Sequence, residues 1–194
     1  MLKQYFLITV FLLSSMSIAE NSSQHNHGHS DKHSTSEQQA HLHGSAELTL
    51  ALEGNSLEIN LESPATNIVG FEHKATSEQQ IKTVQQAKSI LESSPRLFLF
   101  SGSDCVLKQA KVDMSALIEQ NDHDHHHDNK HNDSHSEISA NYLYQCSQGE
   151  KLDTVSVNLI ALFPSFEKLN VMWLTDSQQG AIELTATSHL IRIR

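Results

Sequence analysis

The chain reads as an α+β domain, mainly antiparallel β-sheet with one well-defined helix. Three observations predict this. Apolar and polar residues alternate over several short stretches, the period of strands with one wet face. One stretch, about 76–93, repeats its apolar residues at helical spacing instead. The 194 residues are 38% hydrophobic with only 7 glycines and 3 prolines, which suits one domain with a sizeable core.

The elements follow in order. MLKQYFLITVFLLSSMSIAE opens the chain, with Lys3 as a positive n-region, an apolar run from Tyr5 to Leu13, and the small-x-small triplet Ser17-Ile18-Ala19. This predicts a signal peptide over 1–19, cleaved after Ala19, and so an exported chain. The apolar run is short for a bilayer, and no later segment could span one. Residues 20–40 are polar and rich in Ser, His and Gln, which predicts a disordered segment ahead of a single domain over 41–194. Leu48, Leu50 and Leu52, then Leu57, Ile59 and Leu61, alternate with polar residues on either side of Gly54-Asn55. That pattern predicts a β-hairpin with one acidic face.

Ser63 to His73 has no clean period and reads as an ordered connection. Thr76 and Gln79 stand at capping-box spacing, and Ile81, Val84, Ala87 and Leu91 form one helical face that ends at Pro95. Strands are expected at Cys105–Met114, Glu137–Gln145, Val155 through Ala161, Leu169–Trp173, Ile182–Ala186 and Leu190–Ile193. A disordered His/Asp-rich loop, 120–134, separates the first two.

The net charge of −10 argues against a nucleic-acid partner and favours cations. The chain shows no GxSxG, P-loop, GxGxxG or HExxH, so the expectation is a protein that is not an enzyme. Glu72-His73 is the one acid–histidine pair that a metal-dependent hydrolase could use. In an oxidising compartment Cys105 and Cys146 are expected to pair, closing a loop worth roughly 4 kcal/mol and clamping the strands beside the histidine-rich loop. Thiolate metal ligation is the weaker reading, since no CxxC spacing exists.

The histidines carry the chemistry. There are fourteen, six between His25 and His43 and six between His123 and His135. Neutral imidazole is the commonest protein metal ligand, and three or four from one tract can wrap an ion. In the loop the candidates are His123, His125, His126, His127, His131 and His135, with Asp122, Asp124 and Asp128 adding negative field. A floppy tract enforces no geometry, so on residues alone Zn²⁺, Ni²⁺ and Cu²⁺ all stay open. A tighter seat needs rigid elements. His41 and His43 are two apart at the start of the first strand, and His73, His135 and His189 lie on or beside ordered segments. The expected ordered site joins His41 or His43 to His73 or His135. It is completed by a carboxylate such as Glu72, by water or by a loop histidine.

HLHGSAELTLALEGNSLEINLESPATNIVGFEHKA (41–75), Cys105, the histidine-rich insert, HSEISANYLYQC (135–146) and ALFPSFEKLNV (161–171) resemble the ZrgA-like zinc-regulated periplasmic proteins. SPATNIVGFEH is the most specific piece. The resemblance implies a periplasmic protein that binds Zn²⁺ and works with an ABC-type or other zinc importer. It makes zinc the leading metal and supports the Cys105–Cys146 bridge. Other function classes are a β-rich interaction module whose histidine tracts are linkers, and a non-selective divalent-metal buffer.

Overall fold

The structure is a computed structural model that describes residues 43–118 and 136–194. The expected signal peptide, the 20–40 segment, His41, the 120–134 loop and His135 lie outside these residues.

Among the described residues there are nine strands and one main helix, and the sheets are mostly antiparallel. Strands β1 (Ser45–Glu53) and β2 (Ser56–Pro64) form the expected hairpin. Its two-residue turn has Gly54 at φ 54°, and no non-glycine residue has positive φ among the described residues. This is the type II′ pattern, which only glycine adopts cheaply at the first turn position. A short helix, α1 (Thr66–Val69), follows within the stretch read as a plain connection, and Gly70 ends it at φ 85°. Helix α2 (Glu78–Glu92) is the expected long helix.

Its capping box sits one residue later than the spacing suggested. Ser77 accepts from the Gln80 N–H, and the Gln80 side chain accepts from the Ser77 N–H. Val84, Ala87 and Leu91 are buried as expected, whereas Ile81 stays exposed at the first turn.

After α2 come β3 (Phe98–Ser101), β4 (Cys105–Asp113), β5 (Glu137–Cys146) and β6 (Thr154–Val157). The alternation read as one strand from Val155 to Ala161 breaks at Asn158. Helix α3 (Leu159–Leu162) buries Leu159 and Ile160 there. Strands β7 (Lys168–Thr175), β8 (Gln179–Leu184) and β9 (Leu190–Arg192) complete the chain.

The main sheet runs β4-β5-β2-β1-β7-β8, and a second runs β3-β6-β9. Only β1 and β7 pair in parallel among the described strands. The inner face of the main sheet carries Leu48, Leu50, Leu57, Ile59, Ile138, Tyr142 and Val171, all buried. On it β3 lays Phe98 against Tyr142 and Phe100 against Tyr144, ring centroids 5.3 and 4.8 Å apart. The outer face carries the alternate residues, Glu47, Glu58 and Glu62 among them. The period of two in the sequence thus became one dry face and one acidic face.

Cys105 and Cys146 form a disulfide between directly opposed residues of β4 and β5. Its place departs from the expectation of a clamp beside the histidine-rich loop. That loop leaves the other end of the β4–β5 ladder. Nine strand steps from Glu137 to Cys146 put the bridge about 30 Å along the ladder from the loop's return.

Candidate metal site

The ordered residues of interest gather where β1 begins. His43 and Gly44 form a turn before the strand rather than part of it, with Gly44 at φ 82°. That turn is held from below by Asn67 of α1. The Asn67 side-chain oxygen accepts from the Gly44 N–H at 2.7 Å, and its nitrogen donates to the Ser45 carbonyl at 2.9 Å and to Ser63 Oγ at 3.3 Å. Gly44's carbonyl accepts from the N–H groups of Glu167 and Lys168, which ties the same turn to the start of β7. Asn67 is buried, so these bonds have little competition from water.

Glu72 lies past the end of α1, three residues from Val69. Its carboxylate Oε1 stands 3.2 Å from His43 Nε2. Two ligands on one tetrahedral Zn²⁺, each about 2.0–2.2 Å from the ion, are themselves about 3.4 Å apart. The observed separation therefore fits two corners of such a site after a shift of a few tenths of an ångström. The His43 side chain is 65% exposed and that of Glu72 17%, so an ion can arrive from solvent on the imidazole side.

His73 takes a different direction. Its ring stacks on Phe71, centroids 5.1 Å apart, and its Nδ1 lies 2.9 Å from the Lys74 carbonyl. That contact requires the proton on Nδ1, and Nε2 then faces the Gln80 amide at 3.5 Å. His189 lies just before β9, directly beside the strand expected from Leu190, and its carbonyl accepts from Val157 N–H. Among the described residues no three His, Cys, Asp or Glu side chains converge in a group that could hold a metal ion.

The ends of the histidine-rich segment are anchored here. On the outgoing side the Leu117 carbonyl accepts from Ala75 N–H at 2.9 Å. On the returning side the Ser136 carbonyl accepts from Ala65 N–H at 2.8 Å, and Ser136 Oγ donates to the Glu72 carbonyl at 2.8 Å. Ser63, Asn67 and Ser136 are the buried polar residues among those described, tyrosines aside, and all three belong to this framework. Sequence reasoning found His43 and Glu72 as ligand candidates but missed Asn67 and Ser136, which position them. The available signal was an asparagine inside the apolar turn TNIV, a residue with no reason to be buried unless it bonds backbone. His41, His123, His125, His126, His127, His131 and His135 lie outside the described residues.

The geometry thus places one exposed imidazole beside a largely buried carboxylate on a β-rich domain, an arrangement that suits a cation-binding protein. A family model described as ZrgA family zinc uptake protein matches residues 40–193, and the chain belongs to that family. No curated protein matches it. Membership gives the protein a role in zinc uptake. No helix among the described residues is long and apolar enough to cross a membrane.

Proposed function

We propose that this protein captures Zn²⁺ in the periplasm and supplies it to an importer, acting by binding and not by turnover. The disulfide and the leader-like N-terminal sequence both suit an oxidising, exported location. One observation carries the mechanism. Both ends of the histidine-rich segment are hydrogen-bonded to the 65–75 stretch that bears Glu72. The segment collects ions with many interchangeable imidazoles. His43 and Glu72 supply two corners of a firmer seat, and its remaining corners come from His41, His135 or water. His135 directly precedes Ser136 in the sequence.

The division of labour has a physical basis. A flexible tract loses affinity to the ordering of its backbone on binding, about 1–2 kcal/mol per residue fixed. A pair already held by Asn67 and Ser136 has less to lose. Fast, modest capture beside a pre-organised pair favours transfer from the first to the second.

Calorimetric Zn²⁺ titration of the mature chain near pH 7.5 tests this. Removing residues 120–134 should lower the number of ions bound and leave the tightest one. His43→Ala or Glu72→Ala should weaken that tightest ion by about tenfold or more, a change that even outer partners of a metal ligand can cause. No binding at micromolar Zn²⁺ ends the proposal. Unaltered tight binding in both point variants removes the seat from it.

A further inference from the structure

The two edges of the main sheet are treated differently. β4 is guarded. Its ladder to β5 shifts register between Leu107 and Gln109, it carries Lys108 and Lys111, and the disulfide pins its first residue. Bulges and lysines are the usual means of stopping a sheet edge from recruiting another strand. β8, the opposite edge, has none of these. Its residues QGAIEL include no lysine or proline, and it pairs with β7 in unbroken register from Leu169–Leu184 to Leu174–Gln179. Among the described residues no strand pairs with its outer side.

A groove of about 480 Å³ runs along the inner face of this open edge. Trp173, on β7, spreads its indole across Gly180 of β8. A methyl group at Gly180 would stand 2.5 Å from the indole Cζ2, so only glycine lets the ring lie there. The ring thus reaches from the second strand toward the edge and floors the groove with Ile182. The far wall is Ser188, His189 and Arg192, the last on β9, the edge of the second sheet. No aspartate or glutamate lines the groove, although the chain as a whole carries −10. Glu183 lies one residue out of phase with Ile182, so it projects from the other face, where it pairs with Lys168 at 3.1 Å.

We propose that the β8 edge takes up an extended peptide segment of a partner protein as a seventh strand. The backbone pairs with the free N–H and C=O groups of β8. One inward side chain, apolar or aromatic, lies over Trp173 and Gly180. A second, bearing a carboxylate, meets Arg192 and His189. Charge selects this occupant over two others. A second copy of the chain would bring two strongly acidic molecules together. An anionic lipid surface would be repelled by the same charge.

The chain has a single tryptophan, and it lines this groove, so its emission responds to an occupant there. The probes are two sets of blocked ten-residue peptides of alternating valine and threonine. One set carries a phenylalanine and an aspartate two positions apart, placed at each register in turn. The other set has lysine in place of aspartate. At least one acidic member should shift Trp173 emission saturably below about 100 µM, and its lysine counterpart should bind at least tenfold more weakly. Arg192→Gln should bring the two to within about threefold of each other, with circular dichroism showing an unchanged fold. Ala181→Pro, which places proline in the open strand, should abolish the shift. If it unfolds the chain, Ala181→Lys serves instead and should weaken binding. No shift with any acidic peptide overturns the proposal. So does equal binding of the acidic and lysine sets to the unaltered protein. A concentration-dependent dimer in sedimentation that blocks the shift would make a second copy the occupant and overturn it equally. None of these readouts requires zinc.

Discussion

Replacing Cys105 and Cys146 together by alanine separates the stabilising role of the bridge from the metal chemistry. The cysteines are 41 residues apart, and the loop they close includes the histidine-rich segment. Loop-closure entropy for a ring of that size is about 13 cal/mol/K, or about 4 kcal/mol at 25 °C. For a domain of this size each kcal/mol moves the Tm by about 2–4 °C, so the double variant should melt about 8–16 °C lower. Excising residues 120–134 shortens the ring by fifteen residues, and the same relation then gives the bridge about 0.4 kcal/mol less. The bridge should therefore be worth nearly the same with or without the segment.

Zinc binding should behave differently. The bridge stands about 30 Å along the ladder from the returning end of the segment. At 15 °C, where the variant is still folded, its zinc isotherm should match that of the unaltered protein. Paired differential scanning calorimetry and zinc titration measure both quantities. A folded double variant with lost zinc binding would make the sulfurs ligands and refute the reasoning. A Tm change below about 2 °C would refute the entropic account.

The Tyr142 hydroxyl is buried with no hydrogen-bond partner among the described residues, so Tyr142→Phe should stabilise the fold by about 1 kcal/mol in urea denaturation. Burial, with smaller contributions from Tyr144 and Glu92, raises the Tyr142 pKa far above its ordinary value of 10.0. The unfolded phenol ionises near pH 10 and the folded one does not. Its contribution is thus complete below pH 10 and is lost above it, by up to about 1.4 kcal/mol per pH unit, and Tyr142→Phe should flatten that alkaline decline. Asn67→Ala leaves the Gly44 N–H and Ser45 carbonyl without their side-chain partner, so it should cost roughly 2–3 kcal/mol and weaken the tightest zinc ion by loosening His43. Zinc affinity should fall as pH drops through about 6.5, where unperturbed imidazole gains its proton. Equal affinity at pH 5 would contradict histidine ligation.

Much of the fold was legible because local physics agreed with the final structure. The β1–β2 hairpin needs only alternation and a Gly-Asn turn, and both are written within twenty residues. Helix α2 needs a cap, an apolar stripe and a stop, and it misled only at its first turn. There Ile81 has the right spacing but lies beyond the reach of the core. Three places resisted for identifiable reasons. FLFS in β3 is too short and too uniformly apolar to show a period. Leu159 and Ala161 continue an alternation by coincidence, and Asn158, not a change of pattern, ends the strand. The Ser63–His73 connection hid α1, because four residues are too few to display helical periodicity.

The site divides the same way. The histidine tracts are a property of composition and are legible without any tertiary contact. The sequence by itself therefore determined that this chain carries two histidine-rich tracts. It also determined that it builds a mainly antiparallel sheet with an acidic face, and that its two cysteines pair. Tertiary structure alone decided the rest. His43 and Glu72 are 29 positions apart and meet through the buried side chain of Asn67, an interaction no local window contains. The parallel pairing of β1 with β7 joins segments more than a hundred residues apart and leaves β8 at the edge. The bridge lies at the far end of its hairpin, because ladder register, not loop length, sets which residues face each other. Local propensity acts over a few residues; hydrogen bonding and burial between distant segments settle which of its products touch.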